Sequence, residues 1–361
     1  NENISNMNRS VNTYSFINAK LRASMGKILS SDFLTRMENA RSFTESVQLL
    51  RDTSFAVVEE VYAKTGDIKM CELELYKKEI SLYREMGHSV KGEVLNFVRA
   101  LAAFYEIENL KIALRLWFER TARKRSIAEL VKYIYRDAIQ HDLHIDDIIS
   151  SGDIQQIAEL LRKTPYAEII TQNAEHIKTE NSVFPVEIAL DYYFYHQLMK
   201  QAHSLDSRDF AIARRMIGVE IDNYALNLIA RFRFFYHLPP EKTLMYCCPP
   251  GSTIDKDTIR LVYSSKNIGE ALSEILRKKY SGLEMLLVSQ AVDDISQVQS
   301  FERLLYQIKM HEVRRMLSGY PFTIGIILGY FVLKKEELHN IMTILNAKML
   351  GIEENLLTDR V

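Results

Sequence analysis

The apolar positions of this 361-residue chain recur mostly at helical spacing. Long stretches at 71–86, 185–202 and 299–317 place apolar residues three or four positions apart, with polar residues between them. This is the pattern of an amphipathic helix. Turn-forming residues rarely interrupt it, because the chain has only 13 glycines and 7 prolines, too few for the many tight turns of an all-β protein. The pattern predicts an all-α protein that is helical over nearly its whole length.

The most apolar stretch, Phe322 to Leu333, raises the question of a membrane span. It carries no charge, and Gly325 and Gly329 have the small-xxx-small spacing of closely packed membrane helices. A span needs about 20 apolar residues, whereas this run is short and ends at Lys334. We therefore predict a buried core helix, in which the two glycines let a neighbouring helix approach closely.

One helix-ending pattern occurs three times in the chain. The copies are "SVQLLRDTSF" (46–55), "IAELLRKTPY" (157–166) and "LSEILRKKY" (272–280). Each ends an amphipathic turn with Leu-Arg and then an aromatic residue, and each follows a Ser or Asp suited to a helix N-cap. The pattern predicts the same short helix in three copies.

A second recurring pattern contains most of the candidate site residues. The stretches 106–115, 222–231 and 337–346 each begin with an acid and continue with aliphatic residues at helical spacing. We predict that each acid lies near a helix N-terminus, where negative charge is favourable. The candidates in these stretches, with a structural or interface role, are Glu106, Asn109, Arg115, Asp222, Arg231, Glu337 and Asn340.

The long amphipathic helices between these patterns add two candidates that align with each other, Asp191 and Glu302. Comparable positions recur at a nearly constant interval along the chain. This spacing predicts three copies of one helical unit, at residues 11–125, 126–243 and 252–352. A period of this length indicates three similar helical bundles rather than a solenoid of short repeats.

Composition limits the classes of partner and compartment. The 46 basic and 47 acidic residues leave a net charge of −1, which argues against a broad nucleic-acid surface. Sparse cysteine usage fits a reducing compartment, and the polar N-terminus gives no indication of a signal peptide. The basic run at 120–126 is either a solvated face or a contact with acidic lipid headgroups or an acidic partner.

Motifs with direct chemical meaning are weak. No P-loop and no G-x-G-x-x-G pattern occurs, so we expect no nucleotide and no other cofactor. The segment "HDLHIDD" (141–147) offers metal-ligand types at close spacing, but the absence of a second cluster to complete a site favours a polar loop before a capped helix. Cys247 and Cys248 are a possible redox or metal pair, but the prolines that follow favour a simple loop. We predict no catalytic, cofactor-binding or metal-binding residue.

Taken in order, several segments resemble one known family. They are "YSFINAKLRA" (14–23), "FYEIENLKIALR" (104–115), "ALDYYFYHQLMKQA" (189–202), "IGVEIDNYALNLIARFR" (217–233) and "FTIGIILGYFVLKKEELHNIMTILNAKMLGI" (322–352). Together they resemble the C subunit of the V-type and A-type ATPases, known as the d subunit in the eukaryotic vacuolar enzyme. The resemblance is collinear over nearly the whole chain, and it is carried by the order of the segments and the repeat rather than by a single motif.

The resemblance implies a funnel-shaped, all-helical subunit with three similar lobes and no catalytic role. Such a subunit sits on the cytoplasmic face of the membrane ring of proteolipid subunits, without a span of its own. It binds the central shaft subunits D and F and transmits torque between shaft and ring, for ATP-driven ion transport or ATP synthesis. Ala225, where the family often has Asn, and the aromatic stretch 232–237 are departures that concern details of contact.

Two further questions stay open in the sequence. Arg115 and Arg231 either pair with acids within a lobe or face the shaft, and the recurring acids either cap or orient the same helix in each lobe.

The alternatives to a rotor subunit are an unrelated all-helical adaptor and a helical enzyme with a dispersed site at the His141 segment. The enzyme would bind a metal stoichiometrically and contain a cleft with perturbed pKa values.

Overall fold

The computed structural model describes residues 2–235, 238–246, 254–265 and 294–351. All regular secondary structure in these ranges is helical, and no strand occurs among them, which confirms the predicted all-α class. The α-helices are α1 (Glu2–Met25), α2 (Ser31–Glu38), α3 (Phe43–Gln48), α4 (Ala56–Thr65), α5 (Ile68–Ser89), α6 (Gly92–Thr121), α7 (Ile145–Ser150), α8 (Ile154–Leu160), α9 (Tyr166–Glu180), α10 (Phe184–His203), α11 (Ser207–Ala230), α12 (Pro240–Met245), α13 (Lys256–Ser264), α14 (Asp294–Ser318) and α15 (Gly325–Leu350).

The predicted helix starts are present where the structure describes them. Ser42 accepts a hydrogen bond from the backbone N–H of Glu45, and Asp153 accepts one from the backbone N–H of Gln156. These side chains satisfy amide groups that the first turn of a helix leaves unpaired. The corresponding start before the third copy of the pattern, residues 272–280, lies outside the described residues.

The two described copies of the helix-ending pattern take the same local conformation. The hydroxyls of Thr53 and Thr164 each donate to a leucine carbonyl three residues earlier, over 2.7 and 2.8 Å. Each hydroxyl also accepts the N–H of the aromatic residue two positions later, Phe55 or Tyr166. Both aromatic rings are buried. The threefold repeat itself stays a prediction, because the third copy is not described.

The predicted position of the recurring acids is wrong. Glu106, Asp222 and Glu337 all lie well inside long helices, α6, α11 and α15, rather than at helix starts. The reason is that helix-compatible residues continue upstream of each acid with no proline to stop the helix. The negative charges therefore do not compensate the dipole of their own helix.

The chain divides into two compact units. One combines the described residues of 1–31 and 202–337, and its core includes Tyr14, Ile308 and Ile327. The other combines residues 32–201 with the described residues of 338–353, and its core includes Phe97 and Tyr166. Within each unit the helices bury apolar side chains against one another, which supplies most of the stabilisation of an all-α protein.

The most apolar stretch is buried, as predicted, although the helix it enters is longer than expected. Helix α15 starts at Gly325 rather than near Phe322, and side chains from Ile324 to Val332 are buried. Among the helices of the described ranges, none combines the length and the apolar composition that a bilayer span requires. A Cβ atom at Gly329 would lie 2.8 Å from Cδ2 of Leu317 in α14, so this glycine does allow the close approach.

We expect Gly329→Val to lower the free energy of unfolding by about 2 kcal/mol, because the added atoms overlap the partly buried side chain of Leu317. The matched control is Gly87→Val, at a helical glycine whose Cβ would make only an ordinary contact of 3.4 Å. Chemical denaturation of both variants measures the difference. Equal stability of the two variants would show that Gly329 is not needed for helix packing.

Candidate functional site

Glu106 is the centre of a buried polar cluster in the unit that contains α6. Its side chain is 1% exposed, and its carboxylate accepts the backbone N–H groups of Gln140 and His141 at 2.6 and 2.7 Å. The hydroxyl of Tyr166 donates to it over 2.7 Å, and Nδ1 of His141 lies at 2.7 Å. A carboxylate offers about four acceptor positions, and the four contacts of Glu106 occupy all of them. Its partners lie in the segment 140–141 and at Tyr166.

The other two recurring acids make the same kind of contact. Asp222 is buried and accepts the backbone N–H of Ile254 at 3.3 Å. Glu337 is buried and accepts the backbone N–H of Leu29 at 2.7 Å, and Nζ of Lys334 lies 2.6 Å from its second oxygen. In all three cases the bound amide belongs to a segment that leads into a short helix.

Arg120, near the end of α6, binds the far end of the short helix α7. Its Nε donates to the carbonyl of Ile149 at 2.9 Å, and its Nη2 donates to the carbonyl of Ser151 at 2.5 Å. Nε1 of Trp117 also donates to Ser151, at 3.1 Å. Because the last carbonyls of a helix have no partner within the helix, a cation at this end is favourable.

Arg233 repeats this contact at helix α13. It lies in a π-helical turn, Arg231–Phe235, that continues α11. Its guanidinium donates to the carbonyls of Tyr263 and Ser265, at 3.1 and 2.6 Å. In the last described helix, Nζ of Lys348 donates to the carbonyl of Ala40, just beyond α2, at 2.6 Å.

The amide contacts and the carbonyl contacts are spaced alike in the three places. An acid binds the backbone amide of one residue, and a basic side chain binds the backbone carbonyl of the residue eleven positions later. These pairs are Gln140 and Ser151, Ile254 and Ser265, and Leu29 and Ala40. We name the contacts of Glu106 and Arg120 with the segment around α7 the first clamp, and those of Asp222 and Arg233 with the segment around α13 the second clamp. Each of these two clamps lies within one compact unit.

The basic residues of the clamps were missed in the sequence. The recurring arginine of the second pattern, Arg115 and Arg231, is not the one that binds the carbonyls. Arg120 follows its acid by 14 positions, whereas Arg233 and Lys348 follow theirs by 11. A search for basic residues among the five positions that follow each recurring stretch, rather than at one fixed distance from the acid, would have included them.

Arg115 pairs with a carboxylate, as one of its two predicted roles required, but the partner belongs to the second predicted repeat (126–243) and not to the repeat that contains Arg115. Its guanidinium donates to Glu187 on α10. One helical turn earlier on α6, Nζ of Lys111 lies 2.8 Å from Asp191. Burial lowers the pKa of Lys111, but the carboxylates of Asp191 and Glu108 raise it more, so the net shift is upward. These ion pairs join α6 to α10 within one unit.

The remaining predicted site residues lie apart from these pairs. Asn109 is buried and donates through Nδ2 to the carbonyl of Tyr135 at 2.7 Å. Arg231 is exposed at the C-terminal end of α11, and Asn340 is buried in α15. Glu302 falls in α14, and its side chain lies outside the described residues.

Lys309 forms a second, partly buried charge cluster that the sequence did not reveal. Its Nζ, on α14, lies 3.6 Å from Glu220 on α11 and 3.1 Å from Glu336 on α15. Burial lowers the pKa of Lys309, but Glu220 and Glu336 raise it by more than burial lowers it. The pKa of Lys309 therefore lies well above its usual value. One cation thus connects three helices of the same unit.

Asp209 connects helix α1 to the segment before α15. The hydroxyl of Tyr14 and the backbone N–H of Ile324, at 2.8 Å, both donate to its carboxylate. Burial raises the pKa of Asp209 to about 6, despite the opposing effect of these hydrogen bonds. Asp206 raises and Arg208 lowers the same pKa to a smaller extent.

We expect Asp209→Asn to change how stability depends on pH. The folded-state pKa of about 6 exceeds the ordinary value of 3.8, so the folded protein binds this proton more tightly than the unfolded chain. Stability from this group is therefore greatest below the unfolded pKa and falls as the pH rises towards the folded pKa. The asparagine variant should lack this decline, which is roughly 3 kcal/mol. Unfolding free energies of both proteins across that pH window measure it, and parallel curves would contradict the assignment.

Two side chains of the segment 141–147, the disfavoured candidate for metal binding, have other partners. Glu106 binds His141, and Arg136 binds Asp146 at 2.9 Å. Among the residues that the structure describes, no group of three or more His, Cys, Asp and Glu side chains is placed to hold one metal ion. The Cys247–Cys248 pair lies outside the described residues.

An open groove of about 670 Å³ lies beside α7 and α8. It is lined by His144, Asp147, Ser150, Ser151, Gln156, Glu159, Leu160, Arg162 and Lys163. Arg162 pairs with Glu159 across this lining. The groove therefore combines both signs of charge and does not select one class of ligand.

Comparisons with known proteins agree over almost the whole chain. The sequence profile of the family described as ATP synthase (C/AC39) subunit matches residues 17–360. The C subunit of the A-type ATP synthase of Methanocaldococcus jannaschii is 22% identical over 359 residues, which cover 96% of this chain and 85% of the relative. The protein of the same name from Methanosphaera stadtmanae is 22% identical, with 93% and 84% covered. That of Pyrococcus abyssi is 18% identical, with 96% and 89% covered.

Proposed function

The chain belongs to the ATP synthase (C/AC39) subunit family, and we propose that it is a non-catalytic central-stalk subunit of a rotary ATPase. In this role it links the shaft subunits D and F to the proteolipid ring of the membrane sector and transmits torque between them. It associates with the membrane through the ring, on the cytoplasmic face. The reactions of ATP take place on other subunits.

The observation that carries this proposal is the way in which long helices hold short ones through buried charges. A part that transmits torque must resist deformation, and fully satisfied buried polar contacts fix helices in one arrangement. Glu106 binds two backbone amides and Asp222 binds one, each from the buried face of a long helix, and Arg120 and Arg233 bind backbone carbonyls beyond them. Contacts to the backbone hold a helix without depending on the rotamers of its own side chains.

The three predicted repeats, 11–125, 126–243 and 252–352, form part of the proposal. Recurrence of the amide-to-carbonyl register supports them, since it joins α2, α7 and α13 in one alignment. In that alignment Leu34, Ile145 and Ile259 occupy the same position and are all buried. A shaft of roughly circular section would then find comparable contacts on several sides, one set from each of the three similar lobes.

Binding to both partners tests the proposed role. The purified chain is mixed with the D–F complex and, separately, with the detergent-solubilised proteolipid ring of the same enzyme, and the two affinities are measured. We expect saturable binding to each, and a ternary complex when both are present. An unrelated helical protein of similar size and charge serves as the control.

Each outcome has a defined meaning. Binding to both partners supports the central-stalk role, and binding to only one would contradict the link between them. If a folded chain bound neither, the rotor role would be wrong and an unrelated adaptor would become the better interpretation. Stoichiometric uptake of a metal together with hydrolytic activity would instead favour the enzyme alternative.

A further inference from the structure

Arg120 and Arg233 bind backbone carbonyls at the ends of short helices rather than carboxylate side chains. Each lies at or beyond the end of a long helix and reaches two carbonyls at the end of a short helix. The other end of each short helix is approached by an acid of the same long helix, Glu106 or Asp222. The short helix is thus attached to the long helix at both ends.

Attachment at two ends has a different mechanical consequence from attachment at one. A helix held by a single contact turns about that contact when it is pushed sideways. With a second contact eleven positions away, the same push must break a charge-assisted hydrogen bond, which is among the stronger contacts in proteins. Arg120 is especially constrained, because Trp117 donates to the same Ser151 carbonyl.

We propose that Arg120 and Arg233 are positioning residues for torque transmission, in that each prevents its short helix from pivoting on the long helix under load. This inference rests on the proposed function, because only a rotor subunit experiences such a load. In this role they act by keeping α7 and α13 fixed while the shaft turns.

Their removal should loosen the short helices before it unfolds the protein. The acids remain in place at the other ends, and α13 keeps its own cap, since Asp255 accepts the backbone N–H of Thr258 at 2.8 Å. Loss of a charge-assisted hydrogen bond raises the population with a detached helix end by about tenfold or more. Amide hydrogen exchange in α7 and α13 should accelerate by a similar factor.

The test uses the reconstituted holoenzyme, with this chain either wild-type or carrying Arg120→Gln and Arg233→Gln together. The measured quantities are amide exchange in α7 and α13, binding to the D–F shaft and ring, and ions transported per ATP hydrolysed. We expect faster local exchange, retained binding and a clear loss of ions transported per ATP. Arg120→Lys, which keeps one charged donor, should recover part of the coupling lost in Arg120→Gln.

Matched controls are Arg162→Gln and Arg260→Gln, which remove exposed arginines that pair with Glu159 and Asp257. Both should couple like the wild-type chain. If the double variant does not assemble, the single variants replace it, and the same three quantities are measured for each.

The outcomes separate this inference from the proposed function. Faster exchange with unchanged ions per ATP would show that the arginines are only structural and would overturn the inference alone. Unchanged exchange would also overturn it, because the short helices would not depend on the arginines. If the wild-type chain neither bound the partners nor coupled transport to hydrolysis, the proposed function would fail, and the inference with it.

Discussion

Replacing Lys309 with methionine is expected to lower the free energy of unfolding by about 3 kcal/mol, because two carboxylates lose the cation between them. Glu220 and Glu336 come from different helices and are brought together by Nζ of Lys309, whose side chain is 19% exposed. Methionine has a similar volume and retains the packing of the stem, so the change removes mainly the charge. Chemical denaturation at neutral pH measures the loss.

The matched control for this change is Lys178→Met, at an exposed pair with Glu175 within one helix. Exposed pairs of this kind contribute little, so this variant should be as stable as the wild type. Equal stability of the two methionine variants at neutral pH would show that the Lys309 cluster does not hold the three helices together.

The second large effect is expected at Glu106. Glu106→Ala should lower the free energy of unfolding by about 4 kcal/mol, because it leaves several buried donors without an acceptor. These donors include the backbone N–H groups of Gln140 and His141 and the hydroxyl of Tyr166. Glu106→Gln should lower the free energy of unfolding by less than Glu106→Ala does, because one side-chain oxygen remains to accept hydrogen bonds. It should still be less stable than the wild type, because the new NH₂ group faces donors.

Glu175→Ala is the control for Glu106→Ala, at a carboxylate that is mostly exposed. It should leave the unfolding free energy unchanged. Hydrogen exchange adds a local measure, because amide protection at Gln140 and His141 should fall in the alanine variant and stay normal in the control. If protection there persisted, Glu106 would not be what holds this segment.

Much of the fold could be predicted from the sequence, because helical periodicity and the scarcity of glycine and proline are local properties. The caps at Ser42 and Asp153 were predicted for the same reason, since a cap depends on a few neighbouring residues. The start of the helix containing Glu106 was not predicted correctly. The acid marked the beginning of a recurring stretch, whereas helix-compatible residues extend well upstream of it.

The partners of the recurring charges could not be read from local patterns. Glu337 binds the amide of Leu29, more than 300 residues earlier in the chain, and such a pairing depends on packing that no spacing rule encodes. The repeat did single out Glu106 and Asp222 as special. It did not single out Lys309, because that lysine is one of several charges on an ordinary amphipathic helix.

The most direct test of the central claim is ATP-driven ion uptake into vesicles by the rotary ATPase assembled with and without this chain. ATP hydrolysis and ion uptake are measured in the same preparation, so that the number of ions moved per ATP is known. The account predicts that the assembly without the chain hydrolyses ATP but accumulates no ions, and that adding the chain restores uptake. Equal uptake per ATP with and without the chain would contradict the account.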